Sequence, residues 1–417
     1  MNQAEQNKED EKIVPELRNV RNFLTKKAIA LLGPVEEGLI FHPFRPESDI
    51  FPPADYARYG FVHLGGFKED NVKVMARNGS FTNLGLWVRE PDDASKPTYV
   101  VFHGRHGHWA LTGQKGEKSH DYDRAFRLHW LDELAKSGAG VIAVHTRWQG
   151  ISRERDIRER KIDTRIGEKA YQQDIDALSD YVLKKKKCNS DETLAGSDLI
   201  VAGESNGGAL ATMMAEKLTE LHQPPAVLAL INSYACMADA AALVFRGKKL
   251  LTPQLPKLPP EELLQDPKAA AICRYHRGIM REYAKNKFDT EKRIGALDAT
   301  RTGLYVANNL DDPTIPVDQH GKVCGAGDAH GMEVKPRLIK GDFVDSRYSD
   351  AHTNWRADMM VRDIEDFHKK RRDMPIAEEA HQRNGYAKYV PGRNGHTNGY
   401  TNGYAEERHV AANKRLR

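Results

Sequence analysis

Apolar positions along this chain fall into short uninterrupted runs, separated by stretches in which they recur every three or four residues. Val72-Lys73-Val74-Met75-Ala76 and Leu84-Gly85-Leu86-Trp87-Val88 flank Asn78-Gly79. That dipeptide supplies the positive φ of a tight hairpin turn, so the segment predicts two paired strands. Thr98-Tyr99-Val100-Val101-Phe102, Gly140-Val141-Ile142-Ala143-Val144, Leu199-Ile200-Val201-Ala202 and Val227-Leu228-Ala229-Leu230-Ile231 are apolar almost throughout, as strands covered on both faces must be. Gly303-Leu304-Tyr305-Val306-Ala307 and Val334-Lys335-Pro336-Arg337-Leu338-Ile339 predict later strands. Helical spacing predicts helices over 19–32, 125–136, 168–184, from Ala209 onward, and near 355–370. Strands alternating with helices predict an α/β class, with a mostly parallel sheet flanked by helices.

The alternation lapses in three places. Residues up to about Lys12 are charged and expected to fray, and 1–37 form a partly helical N-terminal extension before the Pro-rich His42-Pro43-Phe44-Arg45-Pro46. Between about 235 and 299 the strands disappear, while Pro253, Pro256, Pro259 and Pro260 precede helix-prone sequence. An excursion of that length predicts a helical cap inserted into the 38–372 domain. Residues 373–417 repeat Asn-Gly with few apolar positions, as in Asn398-Gly399-Tyr400 and Asn402-Gly403-Tyr404. They bury too little surface to offset their ordering entropy and are expected to be a disordered tail.

Composition narrows the function classes. In 417 residues, 63 Lys and Arg face 59 Asp and Glu, a formal charge of +4, too small to mark a nucleic-acid binder. No apolar run approaches the ~20 residues of a membrane-spanning helix, and the polar stretch Met1 to Asp10 carries no signal-peptide pattern. Cys188, Cys236, Cys273 and Cys324 lack metal-ligand spacing and fit reduced thiols of a cytoplasmic protein. Neither a cofactor nor an oligomeric state is indicated.

The chemistry concentrates at Gly203-Glu204-Ser205-Asn206-Gly207-Gly208, immediately after the apolar run Leu199 to Ala202 and before Ala209-Leu210-Ala211-Thr212-Met213-Met214-Ala215. Strand, Gly-x-Ser-x-Gly and helix in succession form a nucleophile elbow, with Ser205 at the N-terminus of a helix that favours developing negative charge. In this arrangement the acid follows the serine and the histidine comes last. Asp312 and its neighbour Asp311 follow the strand at 303–307, and Asp312 is preferred. Among His320, His330 and His352, only His352 lies between the last strand and the last helix, where the base returns to the serine. Oxyanion-hole N–H groups are expected from Asn206 and from Arg105, in a loop begun by His103-Gly104. His103, His106 and His108 also permit a metal reading, less well supported because no carboxylate lies among them.

With these parts in place, the chain from about Gly38 to Lys370 resembles the α/β-hydrolase-domain serine hydrolases, in the branch that includes protein depalmitoylases with fungal and bacterial relatives. Leu39-Ile40-Phe41-His42-Pro43, the His103-Gly104 loop, Arg147-Trp148-Gln149-Gly150-Ile151-Ser152 with Asp174, and His352-Thr353-Asn354-Trp355 carry the resemblance. The branch favours Arg-Ser-Leu at its elbow and asparagines in its oxyanion loop, where this chain has Glu204-Ser205-Asn206, Arg105 and His108. Ser205, Asp312 and His352 in that order, with the His103-Gly104 loop, lead to an esterase or thioesterase working through an acyl-enzyme on a small-molecule or acylated substrate. A peptidase of short peptides, suggested by Ser205-Asn206-Gly207-Gly208, and a non-catalytic binding module are the alternatives.

Overall fold

The computed structural model describes residues 60–76, 79–104, 121–147, 167–189, 198–237, 288–312, 317–346 and 352–373, together with 8–10, 12–13, 55, 109, 152, 267, 271, 274–275 and 315. In chain order the main elements are β1 (Lys68–Met75), β2 (Phe81–Arg89), β3 (Thr98–Phe102), α1 (Asp121–Lys136), β4 (Gly140–His145), α2 (Glu168–Asn189) and β5 (Leu199–Glu204). They continue with α3 (Asn206–Glu220), β6 (Val227–Ile231), α4 (Thr290–Ile294), β7 (Gly303–Asn309), α5 (Val317–Ala329), β8 (Val334–Ile339) and α6 (Ala357–Arg372).

Eight strands form one sheet in the order β1-β2-β4-β3-β5-β6-β7-β8. The predicted hairpin is present: β1 and β2 pair antiparallel, with Val72 opposite Leu84 and Met75 opposite Phe81, and Gly79 takes φ 79° at the turn. β2 is also antiparallel to β4, whereas every later pairing is parallel. Residues of β3 to β7 are almost wholly buried, which explains their unbroken apolar runs. One face packs Val100, Val144, Val201 and Leu228 against Leu178, Met213, Ile294 and Val323 of α2 to α5. The other packs Tyr99, Ala143, Ala202 and Tyr305 against Leu131 of α1 and Ile364 of α6. A mostly parallel sheet of this order, covered on both faces and carrying its strand-turn-helix serine after β5, is the α/β-hydrolase fold.

Several expectations change. Helix α5 was not expected, because Gly321, Gly325 and Gly327 dilute its apolar spacing. Residues 8–10 are helical where fraying was expected. Asp10 is fully buried, and the Arg274 guanidinium donates to its Oδ1 at 2.8 Å. The helix over 19–32 and most of the cap over 235–299 lie outside the described residues. The chain divides into two units, Met1–Asp373 and Met374–Arg417, and the second lies outside the described residues. Among the described residues, no helix is long and apolar enough to cross a membrane.

Candidate active site

Ser205 joins β5 to α3 with φ 54° and ψ −123°, a backbone conformation that costs a non-glycine residue about 1–3 kcal/mol. Surrounding bonds impose it. The Ser205 N–H donates to the Ile231 carbonyl at 2.9 Å, and the Ser233 hydroxyl donates to the Ser205 carbonyl at 3.0 Å. The flanking glycines answer close approaches of backbone. A Cβ on Gly203 would fall 2.2 Å from the Gly207 carbonyl oxygen, and one on Gly207 would fall 2.3 Å from that of Phe102. No flexible side chain is present to yield. Asn206 opens α3, so its N–H has no intrahelical acceptor. Its Oδ1 accepts from the Tyr234 hydroxyl at 2.5 Å, and burial pushes that phenol well above its usual range, keeping it a donor.

Asp312 lies three residues beyond β7, 2 % exposed, whereas the neighbouring Asp311 is exposed. Asp312 Oδ1 accepts the Ile315 N–H at 3.0 Å, and Oδ2 stands 2.6 Å from His352 Nδ1. The acid and the histidine selected from sequence are therefore brought together across 40 residues. Among the described residues, no hydrogen bond joins either of the other candidate histidines to Asp312. His330 packs its ring against Gly295. His320 is buried on α5, neither ring nitrogen hydrogen-bonded among the described residues, and burial pushes it down to about 4.

The His352 ring reaches the elbow, its Nε2 lying 3.6 Å from Oε1 of Glu204, the residue before Ser205. Among the described residues no hydrogen bond joins Ser205 to His352. The Glu204 side chain is fully buried, and Oε2 accepts from the Gly104 N–H at 2.7 Å and from Arg127 Nε and Nη2 at 3.2 and 3.0 Å. Gly104 must be glycine here, since a Cβ would meet that carboxylate at 2.6 Å. His103 is buried beside it, with Nδ1 2.7 Å from the Gly104 carbonyl and its ring edge-on to Trp109. Trp109 packs on Trp130, and Trp130 on Trp355, so buried indoles connect the His103 loop to the segment carrying His352. Arg105, His106 and His108 lie outside the described residues.

Sequence reasoning missed the residues that hold this geometry. Asn232, just past β6 at φ 45°, donates its N–H to the Ala307 carbonyl at 2.8 Å. Its Oδ1 accepts the Asn309 N–H at 2.7 Å, and its Nδ2 donates to the His352 carbonyl at 2.7 Å. Asn309 in turn donates from Nδ2 to Asn354 Oδ1 at 2.5 Å. The available signal was a polar residue at the carboxyl end of an apolar strand, the edge where ligands of such sheets bind. Further out, Arg147 and Asp174 form a buried ion pair at 2.5 and 3.0 Å, and the Ser152 hydroxyl links the His145 carbonyl to the Gly85 N–H.

No protein-family model matches the chain, and no curated protein sequence does. Among solved structures, it is similar to an esterase of Pyrococcus furiosus at 15 % identity, covering 71 % of this chain and 86 % of that one, with a TM-score of 0.43. A carboxyl esterase 2 of the mycorrhizal fungus Tuber melanosporum is similar at 14 % identity over 74 % and 87 % of the two chains, TM-score 0.42. An acylaminoacyl peptidase of Pyrococcus horikoshii is similar at 14 % identity and TM-score 0.42, over 69 % of this chain but only 39 % of the peptidase.

Proposed function

We propose that this chain is a serine hydrolase that cleaves an ester or thioester through an acyl-enzyme. The observation carrying the proposal is the 2.6 Å contact of Asp312 with His352 Nδ1, which turns Nε2 toward the elbow that holds Ser205. His352 takes the proton from the Ser205 hydroxyl as its oxygen bonds to the substrate carbonyl carbon. Asp312 fixes the tautomer and steadies the imidazolium that forms. Backbone N–H groups of Asn206 and Arg105 receive the oxyanion, aided by the N-terminus of α3. His352 then gives its proton to the departing alcohol or thiol. Water, deprotonated by the same histidine, releases the acid and restores Ser205. Catalytic hydrogen bonds in unliganded sites often close only when substrate binds, which accommodates an unmade Ser205–His352 bond. An acyl ester or thioester substrate is supported by the resemblance of His352-Thr353-Asn354-Trp355, of the segment from Arg147 to Ser152 and of the position of Asp174 to the depalmitoylase-containing branch.

The test is hydrolysis of p-nitrophenyl and thioester acyl substrates by purified protein. Turnover that vanishes in Ser205→Ala is the expected result. Equal turnover in that variant, or none on esters alongside turnover of aminoacyl amides, would replace the proposal with another nucleophile or with peptidase activity.

A further inference from the structure

Glu204 is more than an elbow filler. Its side chain is fully buried, one of its oxygens is saturated, and the other is not. Oε2 accepts from the Gly104 N–H and from both Nε and Nη2 of Arg127, whereas Oε1 has no hydrogen-bond partner among the described residues and faces His352 Nε2 at 3.6 Å. A buried carboxylate oxygen without a donor calls for an explanation. The cationic partner facing it among the described residues is a protonated His352, whose Nε2 lies 3.6 Å away, within ion-pair range but beyond hydrogen-bond distance.

We propose that Glu204 is a positioning residue: anchored by Arg127 and Gly104, it sets a buried carboxylate against the Nε2 edge of His352 and governs the pH at which the base becomes available. This inference rests on Ser205, His352 and Asp312 acting as proposed above. Among the described residues, the charged side chains at the ring are Asp312 from the loop after β7 and Glu204 from β5; Arg127 of α1 stands behind Glu204, its positive charge offsetting part of the carboxylate's pull on the ring. Burial of Glu204 keeps water from screening its charge. A carboxylate at this range favours the imidazolium, which cannot accept the Ser205 proton, so the acid limb of activity sits at higher pH than without Glu204. The same carboxylate steadies the imidazolium formed when His352 takes that proton. Its anchoring also fixes Gly104 and commits the Gly104 N–H.

The test is the rate of fluorophosphonate labelling of the full chain as a function of pH, in wild type, Glu204→Gln, Glu204→Asp and Ser205→Ala. Glu204→Gln keeps an acceptor for Gly104 and Arg127 but removes the charge; its acid limb is expected about one pH unit lower than wild type. Glu204→Asp, with its carboxylate drawn back from Nε2, is expected to shift in the same direction by less, and it carries the test should the Gln variant not fold. An acid limb unmoved in the folded variants, with or without a uniform loss of rate, would overturn this role while leaving the nucleophile assignment intact. Labelling absent from wild type at every pH, or retained in Ser205→Ala, would overturn the nucleophile assignment and this role together.

Discussion

The serine side and the acid–histidine side of the site are held by different physics. Around Ser205, backbone packs on backbone: Gly203 against Gly207, and Gly207 against Phe102, at separations that admit no side chain. Around His352, side-chain amides span long stretches of sequence: Asn232 grips the His352 carbonyl and the Asn309 N–H, and Asn309 grips Asn354. The first device is rigid and local, the second adjustable and assembled only in the fold. Damage to the packed glycines should therefore act through folding, whereas damage on the histidine side should show in rate, with or without a loss of stability.

The largest effect is expected from Gly203→Val. Its side chain would be driven into the Gly207 carbonyl, so the elbow cannot form and α3 loses its seat on β5. Loss of the cooperative thermal transition checks this; a variant that melts like wild type would break the comparison. Next comes Asp312→Asn, which keeps the shape of the site but offers His352 Nδ1 the wrong partner. Turnover should fall on the order of 10⁴-fold, the size measured for the equivalent change in a serine protease, with little change in melting temperature. Asn232→Ala leaves the Asn309 N–H and the His352 carbonyl without their donor or acceptor. A stability loss of about 1–3 kcal/mol should accompany a roughly tenfold fall in kcat, with KM nearly unchanged, measured by denaturant melts and steady-state kinetics.

The smallest effect at neutral pH belongs to His320, on the helix that follows the Asp312 loop. Its folded-state value of about 4 lies below the ordinary 6.5, so the unfolded chain binds the extra proton. The contribution to stability is then complete above about pH 6.5 and is lost as pH falls toward about 4, a range worth about 3 kcal/mol at most. His320→Leu should flatten the stability profile in that window and leave turnover at neutral pH within about twofold.

What could be read from sequence follows the same division. Gly203, Ser205 and Gly207 obey a steric rule at fixed spacing, so residues adjacent in sequence announce the elbow, and the apolar runs announce the buried strands around it. Asp312 and His352 could be chosen by their order along the chain, because the fold returns each to the strand ends. Sequence preferred Asp312, at the start of an Asp-x-x-Ile-Pro run, but kept Asp311 as an alternative, since neighbouring aspartates carry nearly the same signal; in the fold Asp312 is buried and Asp311 exposed. Asn232, Asn309 and Arg127 were invisible: each acts through a partner dozens of residues away, and no local pattern marks a polar side chain that bonds across a sheet edge. Glu204 stood out as an unusual neighbour of Ser205, but its bonds to Gly104 and Arg127 span 100 and 77 residues.

The central claim, that Ser205 is the nucleophile and His352 its base, is tested most directly by peptide mapping of a fluorophosphonate adduct in wild type and in His352→Ala. The account predicts a single adduct on Ser205 in wild type and a labelling rate reduced by orders of magnitude in the variant. An adduct on any other residue, or labelling at the wild-type rate without His352, would contradict it.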